Sequence, residues 1–155
     1  ICMLEAGLID RVRIHATDRS RALLAAARSA TYPLPVMREY TANYIAAGGK
    51  AEFSIYYKAG HENATLREEL RRNVTFSVHD LAVDGRFNEF QLVLCRNVLI
   101  YFQDSLKQRV LELIHASLVP FGILALGTKE SLRFLPAFTS YEELNAEWRT
   151  YRKHR

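Results

Sequence analysis

The feature that most constrains this chain is a strand–helix–strand run in its second half. Residues 90–95 (FQLVLC) form a nearly continuous apolar stretch, the pattern of a buried strand. Residues 106–118 carry apolar side chains at helical spacing, residues 120–122 (PFG) turn the chain, and 123–126 (ILAL) make a second buried strand that ends at Gly127. Parallel strands need a crossover of a dozen or more residues, usually a helix, so this run predicts an α/β fold with a mostly parallel sheet and crossover helices.

The first half repeats the alternation. Residues 12–16 alternate as a short strand, Asp18-Arg19-Ser20 turns with Ser20 as the N-cap, and residues 21–29 form a helix. Tyr32-Pro33-Leu34-Pro35 breaks the pattern, and a second helix over 36–47 stops at Gly48-Gly49. Residues 53–58 are rich in aromatic and β-branched side chains, and a turn at 60–63 folds them back as a hairpin before the charged stretch 67–72. This predicts a small β-subdomain inserted at about 50–73. Residues 74–79 then read as another strand of the main sheet, and 141–144 with 148–152 as a terminal antiparallel hairpin. One domain over 1–155 accommodates all of this.

The apolar positions Ile1, Leu4 and Leu8 look like the last turns of a helix begun upstream, and residue 1 is not Met. The chain is therefore read as a fragment.

Composition narrows the functional classes. Charged residues interrupt every apolar run well before the roughly 20 residues of a membrane span. Cys2 and Cys95 are unpaired, and the five histidines are scattered, so neither a disulfide scaffold nor a metal site is expected, and a reducing compartment is. The net charge of +4 owes much to Arg149, Arg152, Lys153, His154 and Arg155. Without interleaved aromatics, that tail reads as solvated surface, and no nucleic acid is expected.

In open α/β sheets, ligands bind beyond the carboxyl ends of the strands. Four places qualify: Asp18, Asp80-Leu81, Arg96-Asn97, and residues 127–131. A carboxylate after the second strand of a nucleotide-binding sheet accepts both ribose hydroxyls, about 20 residues beyond a glycine-rich loop. Asp18 fits that role, with the first strand and its glycines falling before Ile1, and it is equally suited to cap the following helix. Arg96 serves a ligand or a loop-tying salt bridge equally well.

The run LVLCRNVLIYFQDSLKQRVLELIHASLVPFGILALGTKESL, residues 92–132, resembles the core of the CheR-type chemotaxis methyltransferases, with C-R-N-V-x-I-Y-F its most specific string. VRIHATDRS resembles the family's ribose-binding strand, and FSIYY through VTFSVHDL its small β-subdomain followed by the adenine-binding strand. The resemblance covers essentially the whole chain. It implies a class I, Rossmann-like methyltransferase fold and S-adenosylmethionine as cofactor. It further implies that Asp18 binds the ribose, Asp80 and Leu81 border the adenine, Arg96 and Asn97 line the cofactor pocket, and Tyr101 faces the methyl-transfer site with Arg96 beside it. The chain departs from the family at Asp80, where Asn is common, at Gln91, where Asp is common, and in GTKES, where the family has GHSES.

The implied activity is esterification of glutamates on the cytoplasmic helices of chemotaxis receptors, in the cytoplasm. Such a glutamate is already ionised at pH 7 and attacks the sulfonium methyl without a general base. Members of that family that dock onto a receptor's C-terminal tether peptide carry a longer, glycine-rich loop in the β-subdomain, whereas the corresponding loop here, 58–65, contains only Gly60; the resemblance thus implies recognition independent of a tether, assisted by the basic residues Arg21 and Arg28. The isolated fragment is expected to be inactive. A nicotinamide-dependent dehydrogenase would share the acid after a strand but not the C-R-N-V-L-I-Y-F string. A catalytically silent cofactor-binding or scaffold module of a larger signalling protein is the alternative.

Overall fold

The computed structural model describes residues 1–155 and divides into two compact units, 1–79 and 80–155.

In the first unit, a short helix α1 (Cys2–Glu5) leads into strand β1 (Ile14–Asp18) and helix α2 (Arg21–Ser29). The Ser20 hydroxyl caps α2 by accepting from the Leu23 N–H at 3.3 Å, as the sequence predicts. Ala30 ends the helix in the left-handed conformation, φ 49°. Strand β5 (Val74–Val78) pairs parallel with β1, Ile14 opposite Val74 and Asp18 opposite Val78.

The inserted sheet is larger than the sequence suggests. Strands β3 (Tyr57–Ala59) and β4 (Asn63–Leu66) form the expected hairpin, but β2 (Thr31–Pro33) pairs antiparallel with the other edge of β4. Pro33 marks this edge position, because proline has no N–H to offer a central strand. Residues Phe53–Tyr56, expected to be strand, instead form a 3-10 turn. Their rings serve a core beneath the sheet: Phe53, Tyr56, Ala64 and Met37 are buried, and Tyr44 of helix α3 (Met37–Ala46) packs edge-on against Tyr56 at 5.8 Å. Glu5 accepts hydrogen bonds from the Tyr44 and Tyr56 hydroxyls, which hold its carboxyl below the usual carboxylate range.

The second unit is built on strand β6 (Phe90–Cys95), helix α4 (Asp104–Ser117) and strand β7 (Leu118–Leu126), with β6 and β7 parallel. The turn predicted at 120–122 is absorbed into β7 as a bulge: Phe90 lies opposite Leu118, yet Leu92 lies opposite Ile123. Gly122 is needed there, since a Cβ would lie 2.9 Å from the Val119 carbonyl oxygen. The terminal hairpin of β8 (Tyr141–Asn145) and β9 (Thr150–Lys153) adds antiparallel to β7.

One face of this sheet is the core. Cys95, Leu124, Leu126 and Tyr151 pack with Val110, Leu111 and Ile114 of α4. The opposite face corrects the expectation that β6 is buried throughout: Leu92 and Leu94 are 46% and 68% exposed. They alternate with Val93 and Cys95 and so project away from α4. Most of the basic tail is exposed surface, Arg152, His154 and Arg155 included, but part of it is engaged. Arg152 pairs with Glu142 at 2.6 Å, and the half-buried Lys153 donates to the carbonyls of His115 and Leu118 at the end of α4.

Candidate cofactor-binding site

Asp18, Asp80-Leu81 and Arg96-Asn97 lie at or just after the carboxyl ends of β1, β5 and β6, where an open α/β sheet binds its ligand, and Tyr101 lies further along the loop after β6. In the first unit, Asp18 ends β1. Its Oδ1 accepts from the Ser20 N–H at 2.7 Å, while Oδ2 has no protein donor. Ser20 is thus the helix cap, and Asp18, half-buried, braces the turn before it through one oxygen and leaves the other uncommitted.

In the second unit, Asp80 opens a tight knot. Its Oδ1 accepts from Ala82 N–H at 2.9 Å, and its own N–H donates to Asp84 at 2.8 Å. Arg109 of α4 fixes the far side by donating to the Val83 carbonyl at 3.1 Å. Leu81 packs against the β6–α4–β7 core and is half-buried. The pair Asp80-Leu81 is therefore presented by an ordered loop with one Asp80 oxygen left over.

Arg96, Asn97 and Tyr101 share one loop after β6. All three side chains are exposed and have no protein partner, Tyr101 at 80% exposure. No salt bridge ties Arg96 to a neighbouring loop. Asn97 is left-handed, φ 59°, a conformation that asparagine tolerates better than most residues. A 3-10 turn over Leu99–Tyr101 then carries Tyr101 out of the strand line.

That loop is held by a residue more than 30 positions further along the chain. Glu130, within GTKES after β7, is 4% exposed, and its carboxylate is a hub for backbone donors from two loops. Oε1 accepts from Val98 and Leu99 N–H at 2.8 and 2.7 Å, and Oε2 from Asn97 and Gly127 N–H at 2.9 and 2.5 Å. Four donors satisfy an anion that burial alone would heavily penalise. The neighbouring Cys95 thiol responds: burial first, and the Glu130 charge second, push it up to about 12. Gly127 is required at the junction, because a Cβ would lie 2.5 Å from Asn97 Oδ1 and 2.6 Å from Glu130 Oε2.

These residues fit S-adenosylmethionine in kind. A free carboxylate oxygen at Asp18 suits a ribose diol, an apolar side chain beside a free acceptor at Leu81 and Asp80 suits an adenine, and uncommitted polar groups at Arg96 and Asn97 suit the charged methionine end.

Comparisons with known proteins agree. Residues 2–147 match the family model of the CheR methyltransferase, SAM binding domain. The putative methyltransferase Cher3 of Pseudomonas putida is 46% identical over 153 residues, covering 99% of this chain and 56% of that protein. A chemotaxis protein methyltransferase of Vibrio parahaemolyticus is 32% identical, covering 81% of this chain and 44% of that protein. Chemotaxis protein methyltransferase 1 of Pseudomonas aeruginosa is 33% identical, covering 86% and 45%. The chain spans about half the length of these curated relatives. With the ordered carboxyl-end loops of both units, the match over 2–147 identifies the chain as a member of the CheR family of methyltransferase S-adenosylmethionine-binding domains, a class I methyltransferase fold.

Proposed function

We propose that the protein containing this chain transfers the methyl group of S-adenosylmethionine to glutamate side chains on the cytoplasmic helices of chemotaxis receptors. The observation that carries this reading is the loop after β6, which projects Arg96 and Tyr101 outward, free of any protein partner, from a rigid base. The relatives bearing chemotaxis names support the substrate class.

The bound cofactor supplies an electrophilic methyl on a sulfonium, so the protein's task is placement. Asp18 holds the ribose, and Asp80 with Leu81 borders the adenine. Arg96 and Asn97 line the pocket. Arg96 and Tyr101 orient the incoming carboxylate, which is ionised at neutral pH and needs no base.

Recognition is read as independent of a receptor tether. The hairpin turn at 60–62 is short, and the Gly60 N–H bonds back to the Asn63 carbonyl at 2.7 Å. Of the two basic residues on α2, Arg28 is committed internally, donating to the Phe76 carbonyl at 3.3 Å and lying over the Phe76 ring. Arg21 is the one left to attract an acidic helix. The test is methyl transfer by the intact protein to a receptor with and without its C-terminal tail, at two salt concentrations. Equal rates with both receptors and a fall at high salt are expected. Absence of methyl transfer to either receptor overturns the substrate assignment, and a large fall on removing the tail overturns tether independence.

A further inference from the structure

The loop carrying Arg96, Asn97 and Tyr101 has little else to fix it. It follows a strand with one exposed face, starts at a left-handed residue, and before Tyr101 packs on the core only through the buried Leu99 and the partly buried Val98. Glu130 lies 31 to 33 positions further along the chain and takes three consecutive N–H groups of that loop. Three successive amides on one carboxylate set both the position and the rotation of the loop, and therefore the direction in which the flanking Arg96 and Tyr101 leave it. The fourth donor, Gly127, ties the same carboxylate to the loop after β7.

We propose that Glu130 is the positioning residue of the cofactor site, locking the loops after β6 and β7 into one rigid edge so that Arg96 and Asn97 meet S-adenosylmethionine in a preformed geometry. This inference rests on the proposed function for its ligand, but the clamp itself stands on the hydrogen bonds. Glutamate is demanded at this place by the direction of the bonds. Each carboxylate oxygen receives two N–H groups, so an amide would turn its NH2 toward two donors and leave one pair unsatisfied. Glu130→Gln therefore removes an acceptor from either Asn97 and Gly127 or Val98 and Leu99. Glu130→Asp keeps the charge but draws it back by one methylene, too short to reach both loops.

The test uses the intact protein, with the demethylated product S-adenosylhomocysteine as the probe. Hydrogen exchange without ligand should show the amides of 97, 98, 99 and 127 exchanging faster in Glu130→Gln while those of α4 stay protected. Calorimetry should show affinity reduced by about tenfold or more, the scale of a lost hydrogen bond to a charged group. In a cycle with Arg96→Ala, the combined loss should fall short of the sum of the single losses, because a misplaced Arg96 has less to lose. A folded Glu130→Gln with unchanged affinity overturns the proposal, as does strict additivity with Arg96→Ala, which would mark Glu130 as generally stabilising only. Should the Gln variant fail to fold, Glu130→Asp is judged by the same criteria. If the wild-type protein binds no probe, the proposed function fails, and the exchange measurement still decides whether the clamp exists.

Discussion

Gly127→Ala puts one methyl group into the junction between the two site loops, and its cost can be worked from the contacts. The new Cβ would lie 2.5 Å from Asn97 Oδ1, 2.6 Å from Glu130 Oε2 and 2.9 Å from the Asn97 nitrogen. The asparagine side chain can swing away, since nothing in the protein holds it. The other two atoms cannot separate freely, because they are hydrogen-bonded to each other at 2.9 Å. Overpacking a filled site costs about 1–3 kcal/mol. Lengthening one bond to a buried carboxylate adds about 1.5–3 kcal/mol. A total of about 3–5 kcal/mol, at about 2–4 °C per kcal/mol for a domain of 150–250 residues, lowers Tm by at least about 6 °C. Thermal unfolding of the intact protein followed by circular dichroism reads this directly, with hydrogen exchange at residues 97–99 locating the damage. A Tm within about 2 °C of the wild type, with exchange unaltered, would show that the junction has room for a methyl group.

Three further outcomes follow from the packing and the charges. Leu124→Ala, at a position 1% exposed between β6 and β9, should cost about 3–5 kcal/mol in denaturant unfolding, since the site is enclosed on all sides and cannot collapse. Near pH 8, a thiol reagent followed by peptide mass spectrometry should label exposed Cys2 and spare buried Cys95, whose thiol lies at about 12; equal labelling would contradict that burial. Burial, aided by the Lys153 charge, lowers the His115 imidazole below its usual 6.5, so the unfolded chain binds that proton more readily. This contribution to stability is complete above about pH 6.5 and is lost as pH falls through the folded value. The slope of unfolding free energy against pH below 6.5 should therefore flatten in His115→Asn, and an unchanged slope would remove His115 as its source.

Local signals were legible in the sequence, and long-range ones were not. Helix α2 has the predicted limits, 21–29, because the Ser20 cap and the apolar spacing lie within one segment. β6 occupies the predicted 90–95 for the same reason. The ring-rich segment Phe53–Tyr56 misled because aromatic residues serve a strand or a buried turn equally well, and the choice was made by α3 packing over it. β2 was hidden by Pro33, which excludes a central strand but is tolerated at an edge. In β6, hydrophobicity indicates burial but not which face is covered, and Leu92 and Leu94 lie on the uncovered one. The places after the strands, Asp18, Asp80-Leu81 and Arg96-Asn97, are legible from position alone, whereas little around Glu130 in GTKES marks its long-range contacts. Its role arises only when the loop three residues after Gly127 meets amides more than 30 positions away. A glutamate close behind the glycine that ends a buried strand is the one signal that offered a hint.

Binding of S-adenosylmethionine through Asp18 at the carboxyl-end loops can be read from one calorimetric titration. The intact protein and its Asp18→Ala variant are each titrated with S-adenosylhomocysteine. The wild type should bind, and the variant should bind more weakly by about 1–3 kcal/mol, roughly 5- to 150-fold, because the ribose hydroxyls lose the acceptor at Oδ2. A wild-type protein that does not bind, or a variant with undiminished affinity, would contradict the account.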